Sequence, residues 1–178
     1  MEEIIGFLIL GSLFGIDNCR IAAEEVSVTI NPVAKTIIIE QDNLFSIIKS
    51  EKDSVAISKE LEKMYKGKWL REIETYTSKT LEFSADENNS LHAKVTLHYN
   101  NFRDLKKFGI TVSSEGKYQL VNIPTFNIKT ESGQLNKEHW EFDANKPFTF
   151  TQVFKDLPEE YLAHKKSIYT VWKATEKE

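Results

Sequence analysis

Of the four histidines in the chain, His139 has an acid placed to work with it. The run His139-Trp140-Glu141-Phe142 sets an imidazole and a carboxylate two residues apart. Alternate residues of a strand share a face, so the two project to one side as a candidate pair. Two ligands fall short of the three that a catalytic metal ordinarily takes from protein. His92 and His98 also share one side of an alternating run, but six residues at ~3.3 Å each set them about 20 Å apart, too far for one ion. The loop Ser84-Ala85-Asp86-Glu87-Asn88-Asn89-Ser90 is rich in oxygen ligands. That composition suits a calcium loop and, far more often, a solvated hairpin loop. Asn88-Asn89-Ser90 matches a glycosylation acceptor, which matters only on a eukaryotic secretory route. The seven glycines are scattered and form no phosphate-cradling loop, and no G-x-S-x-G, H-E-x-x-H or D-x-D-x-D-G motif occurs. The sequence therefore predicts no catalytic centre, no metal and no cofactor.

Aromatic residues offer a different chemistry. Trp140, Phe142, Phe148, Phe150 and Phe154 crowd the C-terminal third of the chain. Core packing is the default for such rings. Exposed on a sheet, they stack on sugars or anchor a partner. The candidate ligand-binding set is Tyr118, Phe126, His139, Trp140 and Glu141. A cavity of about 300 Å³ or more ringed by Trp140, Tyr118 or Phe126 would mark a small-molecule or glycan-binding module.

The single cysteine, Cys19, closes an unusual N-terminal run. Ile4 to Ile16 is thirteen residues without a charge. A membrane-spanning helix needs about 20 apolar residues, whereas an export leader has a core of this shorter length. Asp17-Asn18 ends the run, Cys19 follows, and the composition changes from Arg20 onward. Glu2 and Glu3 stand where an export leader ordinarily carries Lys or Arg. Ile4 to Cys19 resembles the leader of bacterial lipoproteins. The resemblance implies cleavage before the cysteine, a lipid on the Cys19 thiol, and a periplasmic or outer-membrane location with the membrane as partner. On that reading residues 1–18 are a leader and residues 19–178 one β-rich domain. The alternative is an N-terminal helix or strand buried in the fold, with Cys19 as a small core residue and the protein cytoplasmic.

The rest of the chain must position these groups. Three of the 27 acids precede Arg20 and all 23 Lys and Arg lie at or after it, so the body carries a formal charge of -1. Nucleic-acid binding calls for a concentrated basic face, and none is written here. Period-2 patterns dominate. Strands are predicted at Val26 to Ile30, Thr36 to Glu40, Leu91 to Tyr99, Phe108 to Val112, Tyr118 to Ile123, Thr125 to Thr130, His139 to Phe142, Phe148 to Phe154 and Ile168 to Trp172. Leu44, Phe45, Ile47 and Ile48 form an apolar cluster with no assignable period. Ile57, Leu61, Met64 and Tyr65 mark one helix face, with Ser58 and Gly67 as its caps. Leu157 to Lys166 reads as a second helix. Short strands joined by local turns predict a mainly β fold with one or two short helices, an antiparallel meander forming a curved sheet, sandwich or partly closed barrel. The function expected is a non-enzymatic, lipid-anchored envelope interaction or accessory protein with a protein or glycan partner. The alternative is the ligand-binding module, and an enzyme would need His139, Glu141 or another acid to converge in one cleft.

Overall fold

Alternating apolar positions build most of the framework seen in the computed structural model, which describes residues 10–154 and 157–177. In chain order the elements begin with β1 (Ala22–Asn31), β2 (Thr36–Ile47), α1 (Glu51–Tyr65), β3 (Ser78–Ala85) and β4 (Leu91–His98). The short strands β5 (Ile110–Val112), β6 (Tyr118–Val121), β7 (Ile128–Lys129), β8 (Gln134–Asn136), β9 (His139–Phe142) and β10 (Phe148–Val153) follow. The chain ends with α2 (Glu159–Leu162), β11 (Lys165–Ser167) and α3 (Tyr169–Thr175). One sheet runs β3-β4-β2-β1-β10-β7, with β11 paired to β2, and a second runs β5-β6-β9-β8. Every pairing is antiparallel. The fold is β-rich, and its sheets stay open, in the manner of a curved sheet or sandwich.

The large sheet has one dry face and one wet face. Ile30, Ile37 and Leu97 form one cross-strand row, and Val28, Ile39 and Val95 the next. All six are at most 1% exposed. The opposite face carries Ser27, Glu40, Lys94 and Thr29, half-buried or exposed. This is the pattern of an antiparallel sheet packed on one side only. The dry face is covered in sections. At the β10 end, Phe142 of the second sheet stacks on Phe148 with ring centroids 4.3 Å apart. At the β3 end, α1 buries Ile57, Leu61 and Met64, and Tyr65 and Trp172 of the two helices approach Phe83 at 5.4 and 6.5 Å. A 3-10 turn, Leu10–Phe14, adds Leu10, Leu13 and Phe14 to the same core, each 2% exposed or less. The packed domain of the uncleaved chain thus includes residues ahead of Cys19.

Several expectations are corrected. The strand expected at Ile168 to Trp172 is instead the start of helix α3 and its N-cap. Ile168 and Trp172 lie one helical turn apart and both are buried. Packing against α1 overrides propensity here: Trp172 donates its indole N–H to the Tyr65 hydroxyl, and the Ser58 and Thr175 hydroxyls pair at 2.9 Å. Ser58 is therefore a mid-helix contact, and Ser50 is the N-cap. Gly67 does follow the helix end in the left-handed region at φ 63, and its N–H donates to the Met64 carbonyl. The strand predicted from Thr125 to Thr130 shrinks to two residues, because Pro124–Phe126 makes a 3-10 turn. Strand β3 was not predicted.

The unassignable cluster at Leu44 to Ile48 has a local cause. Asn43 sits at φ 53 inside β2, and its side-chain amide donates to Glu24 on β1 at 3.0 Å. The kink shifts the alternating buried positions of β2 from Ile37, Ile39 and Gln41 to Leu44 and Ser46, with Phe45 between them buried as well. Facing it, the buried positions shift from Val26, Val28 and Ile30 of β1 to Ala23 and to Ile21 just ahead of the strand. Asparagine tolerates this conformation better than any β-branched neighbour would.

The start of α1 yields a prediction. The Asp53 carboxylate accepts the backbone N–H of Lys49 and Ser50 at 3.0 and 2.9 Å, and the Ser50 hydroxyl at 3.1 Å. These bonds, the Lys49 N–H foremost, hold its pKa below the usual carboxylate value. A depressed folded pKa contributes stability above the unfolded pKa and loses it as pH falls through the folded one. Asp53→Ala should therefore unfold at lower urea than the native chain at pH 7. The gap should narrow as pH drops below ~4, where the unfolded carboxyl protonates, and a gap independent of pH would contradict this account.

Candidate functional site

The chemistry-bearing residues of β6 and β9 divide between two faces. Tyr118 pairs with Phe142, Gln119 with Glu141, Leu120 with Trp140 and Val121 with His139. Cross-strand partners share a face. Tyr118 and Trp140 thus turn to the interior, where Tyr118 lies 5.8 Å from the Phe148 ring. His139 and Glu141 turn outward together. Phe126 lies in the Pro124–Phe126 turn, packed against the core from its edge. The five residues do not line one recess. Glu141 is already committed, since its carboxylate accepts from Lys117, Gln119 and Asn136 at 3.1, 3.2 and 3.1 Å. Those donors, Lys117 first, hold its pKa below the ordinary glutamate value.

The other polar candidates are likewise tied into structure. His92 Nδ1 lies 2.8 Å from Asp42, and Nε2 lies 3.7 Å from Asp86. The two ring nitrogens point apart, so the three side chains bracket an imidazole rather than an ion. Asp86 also accepts the N–H groups of Asn88 and Ser90, both at 2.9 Å, and closes its loop on itself. Among the described residues, no three His, Cys, Asp or Glu side chains gather as a metal site.

Cys19 is half-buried beside α1. Its thiol donates to Glu60 Oε2 at 3.2 Å, and the same carboxylate accepts the Arg20 N–H at 3.0 Å. Gly11 packs so tightly on it that a Cβ there would lie 2.4 Å from the Cys19 sulfur. Burial, then the Glu60 charge, pushes the thiol pKa up to about 12.

A recess does exist, at a place the aromatic cluster of the C-terminal third did not indicate. It measures about 300 Å³ and is lined by Met64, Tyr65, Gly67, Trp69, Lys79, Leu81, Phe83, Trp172 and Glu176. Four aromatic rings from four chain segments meet there. The end of α1 supplies Tyr65, and the left-handed turn at Gly67 redirects the chain to Trp69. The inward side of β3 supplies Lys79, Leu81 and Phe83, and α3 supplies Trp172. Trp69 is held from behind by Phe14, stacked on it at 4.5 Å. The Lys79 ammonium donates to the carbonyls of Glu74 and Tyr76, each at 3.3 Å, and the exposed Glu176 stands at the rim. The sequence signals were Tyr65 at the end of the apolar helix face and the alternation Lys79, Leu81, Phe83. Neither segment was joined to Trp172, which was expected in a strand. The chain matches no family model, no curated protein and no solved structure.

The Cys19 environment can be tested with a thiol reagent. Thiolate is the reactive species, and a rise from 9.0 to about 12 leaves roughly a thousandfold less of it at pH 8. Iodoacetamide should label the folded chain slowly, and the urea-unfolded chain orders of magnitude faster, by intact mass. Equal rates would show an open thiol.

Proposed function

We propose that the protein is a non-enzymatic binding module whose ligand enters the recess between α1, β3 and α3. The observation that carries this is the convergence of Tyr65, Trp69, Phe83 and Trp172 on one half-open space of about 300 Å³. That volume is at the lower end of ligand pockets. Aromatic faces supply large contact area at small conformational cost. These four rings touch neighbours, Trp69 on Phe14 and Phe83 near Tyr65 and Trp172, and together they also border open space. Lys79 and Glu176 place a positive and a negative group at its border. The ligand class is a small molecule with an apolar or π-compatible face, a sugar ring included.

A second reading concerns location. The uncharged run Ile4 to Ile16, followed closely by Cys19, supports an exported protein tethered by lipid at that residue, working as an interaction or accessory protein of the cell envelope. Among the described residues no helix is long and apolar enough to cross a membrane. The two readings meet at Trp69. Cleavage before Cys19 removes Phe14 from behind that ring, together with Leu10 and Leu13. An exported mature form would bind with a recess repacked around Trp69.

Each reading has its measurement. Intrinsic tryptophan fluorescence, titrated with monosaccharides, nucleobases and small organic ions, should show a saturable change for at least one of them. Trp69→Leu should remove that change while leaving the circular dichroism of the domain intact. A flat response across the panel would sink the binding reading. For location, intact mass after expression in a bacterial host separates a chain of 20.6 kDa from one that has lost residues 1–18 and gained acyl groups on Cys19. The first result would end the lipid-anchor proposal.

A further inference from the structure

We propose that the recess is a cation site for a quaternary or methylated ammonium group of choline type, a proposal that rests on reading the recess as the ligand site. The argument comes from which interactions the recess has left to offer. A sugar is held by stacking together with several hydrogen bonds to its hydroxyls. Two of the lining donors are already engaged, at least in part. The Trp172 indole N–H goes to the Tyr65 hydroxyl, and the Lys79 ammonium to two backbone carbonyls. Beside them the recess presents the rings of Tyr65, Trp69 and Phe83, the edge of the buried Trp172, and the Glu176 carboxylate. A cation over aromatic faces is attracted by the ring quadrupole, and alkylated ammonium ions are the groups that cages of such rings recognise.

The backbone favours the same sign of charge. α1 ends at Tyr65 and α3 at Thr175, and residues of both last turns line the recess. The carbonyl end of a helix carries partial negative charge. Glu176 is close enough for its charge to raise the Tyr65 hydroxyl pKa, second to burial as an upward cause. Lys173 already rests 5.7 Å above the Trp172 ring, so this indole takes a cation in its present setting. Of the nearby ammonium groups, Lys66 is paired with Glu62, whereas Lys79 keeps its charge while donating to the carbonyls of Glu74 and Tyr76 and Lys173 lies over the Trp172 ring, so a bound cation has these two to compete with. A permanently charged trimethylammonium group donates no hydrogen bond, so it loses nothing in a site that offers few acceptors.

The test uses the full chain and four probes: choline, tetramethylammonium, the neutral isostere of choline with carbon in place of nitrogen, and a monosaccharide. Binding is read by tryptophan fluorescence and by ligand-observed NMR. Choline and tetramethylammonium should bind saturably. The neutral isostere should bind about tenfold more weakly, between the scales of an exposed and a fully desolvated cation–π contact. Glu176→Gln should weaken choline several-fold without moving the urea midpoint, because this side chain is exposed. If the neutral isostere equals choline, or the monosaccharide binds and choline does not, the cation proposal is overturned while the recess remains a ligand site. If none of the four binds to the folded chain, the cation proposal fails, and the wider panel then decides the fate of the recess.

Discussion

The large sheet buries one face and wets the other, and the rest of the molecule follows from that inequality. Its dry rows, Ile30–Ile37–Leu97 and Val28–Ile39–Val95, have to be covered. No single element is wide enough to do it. Helices α1 and α3 cover the β3 end, the Leu10–Phe14 turn fills in beside them, and the small sheet closes the β10 end through Phe142. Each buried Leu, Ile or Phe contributes roughly 1.5–3 kcal/mol relative to exposure. Coverage is therefore dense along β1, β2 and β4. It thins at β3, the edge strand, whose inward residues Lys79, Leu81 and Phe83 are only half-buried. The recess is the seam where two helix ends and an edge strand fail to meet.

The same accounting bears on the N-terminal run. Leu10, Leu13 and Phe14 together contribute roughly 5–9 kcal/mol by burial, an upper bound because unfolded chains are already partly compact. The net stability of a domain is only about 5–15 kcal/mol. Removing these residues thus takes away a share comparable to the whole margin. It also exposes the face of Trp69 on which Phe14 stacks and leaves the Leu70 N–H without the Leu13 carbonyl. Export with cleavage at Cys19 requires another cover for that surface, supplied by a repacked loop or by a partner. The tight fit of Gly11 on the Cys19 sulfur belongs to the uncleaved state.

Much of the framework was legible in the sequence because it obeys simple periods. Val26, Val28 and Ile30 alternate, as do Leu91, Ala93, Val95 and Leu97, and all are buried. Ile57, Leu61 and Met64 mark the α1 face, and Gly67 its end. What stayed hidden depends on two segments meeting. The switch at Asn43 shows only as a broken pattern, since its cause is a left-handed residue braced by Glu24 on the neighbouring strand. Helix α3 carries strand-like residues and is helical because Trp172 and Thr175 find partners on α1. The recess joins α1, β3 and α3 and has no contiguous signature. His139 and Glu141 were correctly placed on one side of a strand, but the identity of that side was a tertiary fact.

Satisfaction of polar groups separates a structural carboxylate from an available one. Glu141 combines the right neighbours for chemistry with three donors that immobilise it, so a reacting group would have to displace a hydrogen bond to reach it. Glu60 is held in the same way by Cys19 and Arg20. Glu176, at the exposed end of a short helix, works on its surroundings through charge rather than through a fixed network. A surface charge is screened by water and salt, but a recess walled by four rings excludes part of that solvent, and on the proposed reading it would let the charge reach a ligand within it. The aromatic walls thus do two things with one geometry. They would offer faces to a ligand, and they would raise the effect of the Glu176 carboxylate at the rim.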